Sequence, residues 1–160
     1  MRILFMRHGE AVDAGARTDG ERWLTPRGRL ETRGVARWLA AHEAPVTLLT
    51  SPLVRAVQTA EIVLSACELD HAAVFRELAV GDLDAVVDLA RTFDGAGPLC
   101  LVGHEPTLSE AVATLLELRA APEFPKSAIF AVDRGPGGEM SLAWRLRPGP
   151  DGPSRALGLP

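Results

Sequence analysis

Ile3-Leu4-Phe5-Met6-Arg7-His8-Gly9-Glu10 is the stretch whose reading decides the fold. Four consecutive apolar residues with no polar alternation mark a strand buried on both faces, the kind that a helix-covered parallel sheet requires. A charged pair and a glycine end the run and mark its exit into a loop. A histidine there presents a ring nitrogen to a ligand, and the arginine before it carries a planar fork of donors suited to phosphate. Gly9 removes a side chain where a ligand can approach the backbone closely. The alternative reading at this point is a strand-end histidine held by a backbone carbonyl beside a solvated arginine.

Further along, Thr25-Pro26 reads as an N-cap followed by proline at the first helical position. The helix it opens carries Leu30, Val35, Trp38 and Leu39 as an apolar stripe. Arg27, Arg29, Glu31, Arg33 and Arg37 form its solvated face. Val46–Thr50 is a second strand, and Ser51-Pro52 repeats the cap signature for a helix to about Ser65, with Arg55 in its first turn. A short strand near Val74-Phe75 leads through Glu77-Leu78 into a loop, and a helix spans about Leu83 to Phe93 with Asp82 or a neighbour as its cap. Pro98–Val102 is another buried strand that ends in a histidine, Gly103-His104-Glu105-Pro106, and Pro106 opens a helix. Ala128, Phe130 and Val132, then Met140, Leu142, Trp144 and Leu146, alternate around Gly135-Pro136-Gly137-Gly138 and read as a hairpin.

Strands alternating with helices predict a three-layer α/β/α sandwich with a mainly parallel central sheet and the C-terminal hairpin at its edge. One domain is expected over residues 1–147, with 148–160 as a Pro/Gly-rich tail without a fold of its own. In such sheets ligands sit beyond the carboxyl ends of the strands. His8, Arg55 and His104 all lie there and are expected to converge.

Composition narrows the function. A net charge of −4 over 160 residues argues against a nucleic-acid partner, so any phosphate affinity must come from a local arginine cluster. Hydrophobic residues at 47% and charged residues at 24% are ordinary for a globular protein, and no apolar run is long enough for a membrane span. Cys67 and Cys100 have neither metal nor redox spacing and read as free core thiols of a reducing compartment. The four histidines include no pair at zinc-motif spacing, so no metal or other cofactor is expected. No signal-peptide pattern is present, because Arg7-His8 interrupts the first apolar run, and the cytoplasm is the expected compartment.

Two imidazoles and two guanidinium groups at the mouth of a sheet suit phosphoryl transfer, where catalysis is mostly positioning and electrostatic clamping. A neutral imidazole in line with phosphorus can serve as nucleophile. Met6-Arg7-His8-Gly9-Glu10-Ala11, Leu24-Thr25-Pro26-Arg27-Gly28, Ser51–Ala60, Val102-Gly103-His104-Glu105-Pro106 and Lys126-Ser127-Ala128-Ile129 stand in order along the chain. On these blocks the chain resembles the histidine phosphatase superfamily, in its phosphoglycerate-mutase-like branch, and most closely the SixA-type phosphohistidine phosphatases. The resemblance implies His8 as the phosphorylated nucleophile, with Arg7, Arg55 and His104 as catalytic and phosphate-binding groups. His104 would be protonated and His8 neutral. Ser51 and Glu105 stand at the rim of the set, as a helix cap and a loop carboxylate.

Glu77 is the further catalytic candidate. Larger relatives place a glutamate here as proton donor to the leaving oxygen, whereas the small phosphohistidine phosphatases read Glu-Leu-Thr-Pro-x-Gly-Asp. This chain has Glu77-Leu78-Ala79-Val80-Gly81-Asp82, one residue shorter and without the proline, so a cap or ion-pair role stands beside the catalytic one. Only 21 residues separate Arg55 from Glu77 and 26 separate Glu77 from His104, too few for the helical insertion that covers the pocket in larger relatives. An uncovered pocket admits a bulky substrate. A nitrogen leaving group also needs less acid assistance than an alkoxide. The expected activity is therefore a metal-independent phosphatase acting on a phosphorylated protein, in particular protein phosphohistidine. A phosphatase for small phospho-compounds with the same site and a non-catalytic phosphohistidine-binding module are the alternatives. A mutase is not expected, because an open pocket loses the phosphoryl group to water.

Overall fold

The computed structural model describes residues 1–13, 15 and 18–158. β1 (Arg2–Arg7), β2 (Thr47–Thr50), β3 (Ala73–Val74) and β4 (Leu99–Gly103) form one half of a seven-stranded sheet. β5 (Ile129–Arg134), β6 (Met140–Arg147) and β7 (Ser154–Ala156) form the other, in the order β3-β2-β4-β1-β5-β6-β7. The helices are α1 (Pro26–His42), α2 (Val54–Ala66), the single turn α3 (Glu77–Val80), α4 (Leu83–Thr92) and α5 (Thr107–Leu115). The α/β sandwich class holds.

β1 is apolar throughout because both its faces are covered. Ile3 and Phe5 point into a core shared with Leu78 of α3, Val86 of α4 and Leu108 and Val112 of α5. Leu4 and Met6 point the other way, against Val35 and Leu39 of α1 and Ala60 and Val63 of α2. All four β1 side chains are fully buried, each worth about 1.5–3 kcal/mol of transfer free energy. Caps place two helices as read, since the Thr25 hydroxyl accepts from Gly28 N–H at 2.9 Å and the Asp82 carboxylate accepts from Ala85 N–H at 3.0 Å.

Three expectations are corrected. The sheet is not mainly parallel: β3-β2-β4-β1 pair in parallel, but β1-β5, β5-β6 and β6-β7 are antiparallel. α5 starts at the strand-exit end, and the segment after it returns there, where the Phe124 carbonyl accepts from Arg7 Nη1 and Ser127 N–H donates to the His8 carbonyl, so β5 enters from that end and runs back along β1. The β5-β6 hairpin is therefore not at the edge, because the segment read as a tail supplies the edge strand β7. Arg147↔Ser154 and Arg145↔Ala156 pair there, and the Arg155 guanidinium lies 5.9 Å from the Trp38 ring and 5.7 Å from Trp144. Glu77-Leu78 is not the start of a loop but opens α3, which Gly81 closes in the left-handed region at φ 75°.

Gly9 has a different use from the one its place beside His8 suggested. A Cβ on it would lie 2.6 Å from Thr32 Oγ1, so the missing side chain serves packing on α1. Gly28 is tighter still, since a Cβ there would lie 2.1 Å from the Glu10 carbonyl oxygen. These contacts clamp the loop after His8 to the start of α1. Gly28→Ala is expected to destabilise the fold by about 1–3 kcal/mol, read as a lower urea midpoint with unchanged m value.

Candidate active site

His8 follows β1 directly and is fastened on every side. Its N–H donates to the Gly103 carbonyl at 3.1 Å, and its own carbonyl accepts from Ser127 N–H at 3.2 Å. The next residue, Gly9, donates its N–H to Thr59 Oγ1 at 3.0 Å, and that hydroxyl donates to the Arg55 carbonyl at 2.7 Å. The strand terminus and the first turn of α2 are thus tied together beneath the ring.

The ring is 7% exposed, and its two partners assign its tautomer. Gly9 O, 2.7 Å from Nδ1, can only accept, and Arg55 Nε, 3.2 Å from Nε2, can only donate. The proton is therefore on Nδ1, and the Nε2 lone pair faces the Arg55 guanidinium. Burial pushes the imidazole pKa down to about 3, opposed by the bond to Gly9 and reinforced by His104, Arg55 and Arg7. At neutral pH His8 is an uncharged base with its lone pair at the mouth of the sheet.

His104 follows β4 and brings its ring centroid to 4.9 Å from that of His8. Its Nε2 lies 2.8 Å from Ser51 Oγ, while Nδ1 is buried without a partner among the described residues. Burial, then Arg55 and Arg7, lower its pKa to about 4, against a raising effect of Asp19. The expected difference in protonation between the two histidines is therefore not found. Both rings are desolvated beside the same two arginines, and both are held neutral. Arg7 is half-buried and donates from Nη1 to the Phe124 carbonyl at 2.8 Å, leaving Nε buried without a partner. Burial lowers its pKa too, opposed by Glu105, yet a guanidinium stays charged in proteins.

Four of the five residues singled out from sequence thus share one end of the sheet. Contacts join Arg55 to His8 and His8 to His104, and Arg7 is the strand residue before His8. Glu77 makes no side-chain hydrogen bond to any of them. It opens α3, whose Leu78 packs over Gly103 (a Cβ there would lie 3.0 Å from Leu78 Cδ2), so its backbone is anchored beside the residue preceding His104.

The sequence did not single out Asp19. Its carboxylate takes Arg55 Nη2–H at 2.8 Å and its carbonyl takes Nη1–H at 2.7 Å, so it holds the two guanidinium arms not aimed at His8. Its pKa is lowered by hydrogen bonds from Arg22 and then Arg55. Nothing in the Gly/Asp-rich loop marks it. Thr59 had a signal, because a threonine four residues after Arg55 on a helix places its hydroxyl at that carbonyl. No group of three or more His, Cys, Asp or Glu among the described residues is gathered as a metal-ligand set.

The family model for the histidine phosphatase superfamily (branch 1) matches residues 3–92. The chain belongs to this family. An uncharacterized protein of Picosynechococcus sp. (strain ATCC 27264 / PCC 7002 / PR-6) is 44% identical over 118 residues, 69% of this chain and 70% of that protein. The structure of the protein histidine phosphatase SixA complexed with tungstate superposes with a TM-score of 0.83 at 33% identity, covering 92% of this chain and 97% of that one. The alpha-ribazole phosphatase from Shigella flexneri shares the fold, with a TM-score of 0.73 at 18% identity over 89% of this chain and 94% of that one. Family membership and the SixA-like structure support phosphatase activity.

The depressed histidine pKa values make stability pH-dependent. Between pH 6.5 and the folded-state values near 3 and 4, the unfolded chain binds more protons than the native one. The contribution of each ring is complete above pH 6.5 and is lost as pH falls, with a slope of up to about 1.4 kcal/mol per unit. Urea midpoints should fall between pH 6.5 and 5, and this fall should be shallower in His8→Asn and His104→Asn. Parallel curves for variants and wild type would show that neither ring is held neutral.

Proposed function

We propose that the chain is a metal-independent phosphatase that transfers a phosphoryl group to Nε2 of His8 and then to water, with protein phosphohistidine as its substrate. One observation carries this reading: His8 is a neutral imidazole with its proton held on Nδ1 and its one ring lone pair, on Nε2, hydrogen-bonded to the buried Arg55 at 3.2 Å. The Gly9 carbonyl supports the nucleophile from behind, because it accepts the Nδ1 proton and stabilises the positive charge that grows on the ring as Nε2 bonds to phosphorus.

Arg55, Arg7 and His104 receive the equatorial oxygens. The phosphoryl group and Asp19 compete for the Arg55 arms, so productive binding displaces or shares that carboxylate. The likeness to a SixA complexed with tungstate, a tetrahedral oxyanion like phosphate, supports a phosphate-like ligand for this chain.

Two features favour a nitrogen leaving group on a protein. The chain between Arg55 and His104 is occupied by the rest of α2, β3, α3, α4 and β4, with no further helix to roof the site. Glu77 is not engaged with the histidine pair, and imidazole departs without the strong acid assistance that an alkoxide needs. Cytoplasmic residence follows from this reading, in which Cys67 and Cys100 stay as the free thiols they are here.

Incubation with labelled phosphoramidate or a phosphohistidine protein, followed by an alkaline quench, should trap label on the protein that decays with time. His8→Ala should abolish it. Stable stoichiometric binding without label transfer would instead identify a binding module. Glu77→Gln should slow hydrolysis of an alkyl phosphate such as glycerol phosphate by about 100-fold or more, while phosphoramidate turnover changes less than about fivefold. Equal losses on both substrates would favour a phosphatase for small phosphate esters.

A further inference from the structure

Ser51 reads from sequence as a helix cap, yet α2 starts only at Val54, and the hydroxyl is spent elsewhere. The residue is fully buried, and its backbone N–H donates to the Val102 carbonyl at 3.0 Å, extending the β2–β4 ladder by one step. Its Oγ accepts the Leu53 N–H at 3.3 Å and lies 2.8 Å from His104 Nε2. No other acceptor for the Ser51 hydroxyl proton is present among the described residues.

Those contacts decide where the His104 proton sits. With a hydrogen on Nε2, Ser51 Oγ would accept it along with the Leu53 N–H, and the hydroxyl proton would turn away to where the described residues offer no acceptor. Burying an unsatisfied donor is costly, whereas a lone pair on Nε2 satisfies it at once. The ring hydrogen must then be on Nδ1, the buried atom for which the described residues supply no partner. An unpaired buried donor calls for a partner, and a phosphoryl oxygen held by the neighbouring guanidinium groups can supply one.

We propose that Ser51 is a positioning residue that fixes the neutral tautomer of His104, so that Nδ1–H is presented to a phosphoryl oxygen without the ring having to be protonated first. The two histidines are thereby given opposite duties. The Gly9 carbonyl leaves His8 with a lone pair toward the ligand, and the Ser51 hydroxyl leaves His104 with a hydrogen toward it. The functional part of this assignment rests on the phosphatase reading, but the tautomer itself does not.

Nitrogen-15 NMR of histidine-labelled protein near pH 7 separates the two. In the wild-type protein, His104 should show a pyrrole-like Nδ1 and a pyridine-like Nε2, and in Ser51→Ala the two shifts should move toward each other. In the same variant, tungstate should bind about tenfold more weakly and kcat on phosphoramidate should fall by a similar factor. Ser51→Thr, which keeps the hydroxyl, should retain the wild-type ring shifts. A pyrrole-like Nε2 in the wild-type protein would overturn the proposal, as would ring shifts and tungstate affinity in Ser51→Ala unchanged from wild type. The expected ring shifts in a protein that turns nothing over would instead count against the phosphatase reading alone.

Discussion

The imidazole of His8 is held between a carbonyl oxygen that can only accept and a guanidinium N–H that can only donate, and the neighbouring structure is arranged to keep it so. Gly9 supplies the carbonyl from a loop pressed onto α1 with no room for a side chain at Gly9 or Gly28. Arg55 supplies the N–H from the first turn of α2, whose carbonyl is tied through Thr59 back to Gly9. A ring fixed in orientation and tautomer need not pay reorganisation entropy at the moment of reaction.

This placement follows from the way the sheet is built. β1 and β4 lie side by side in parallel, so their carboxyl ends deliver His8 and His104 to the same edge. β2 flanks β4 and delivers Ser51 and then Arg55 to that edge. Four groups distant in sequence meet because parallel strands share a direction. The antiparallel half contributes from the other side, where Ser127, just before β5, binds the His8 carbonyl and the Thr32 hydroxyl.

Electrostatics explains how an acidic chain gathers a local cationic cluster. The net charge of −4 is spread over the surface, whereas Arg7 and Arg55 are drawn into a desolvated cluster with two neutral imidazoles. Low local dielectric makes those cations act strongly over short range, which the global charge does not cancel. Asp19 shows the preference from within, since the nearest loop carboxylate is already bound to Arg55.

Much of this was legible in the amino-acid order. The unbroken apolar runs Ile3–Met6 and Leu99–Val102, each ending in a histidine, specify buried strands that open onto a site, because only strands covered on both faces lack polar alternation. Arg7, His8, Arg55 and His104 were readable for the same reason, being the polar residues at the exits. The tertiary structure decided the rest. The direction of β5 depends on where the segment after α5 brings the chain back, β7 is three residues without periodicity held by pairing and by Arg155 against two tryptophans, and Ser51 found its partner in a residue 53 positions away. The sequence thus determined which groups lie at the mouth of the sheet. Which nitrogen of each ring carries the proton was decided by Gly9 O, Arg55 Nε and Ser51 Oγ, because a tautomer answers to atoms within about 3 Å.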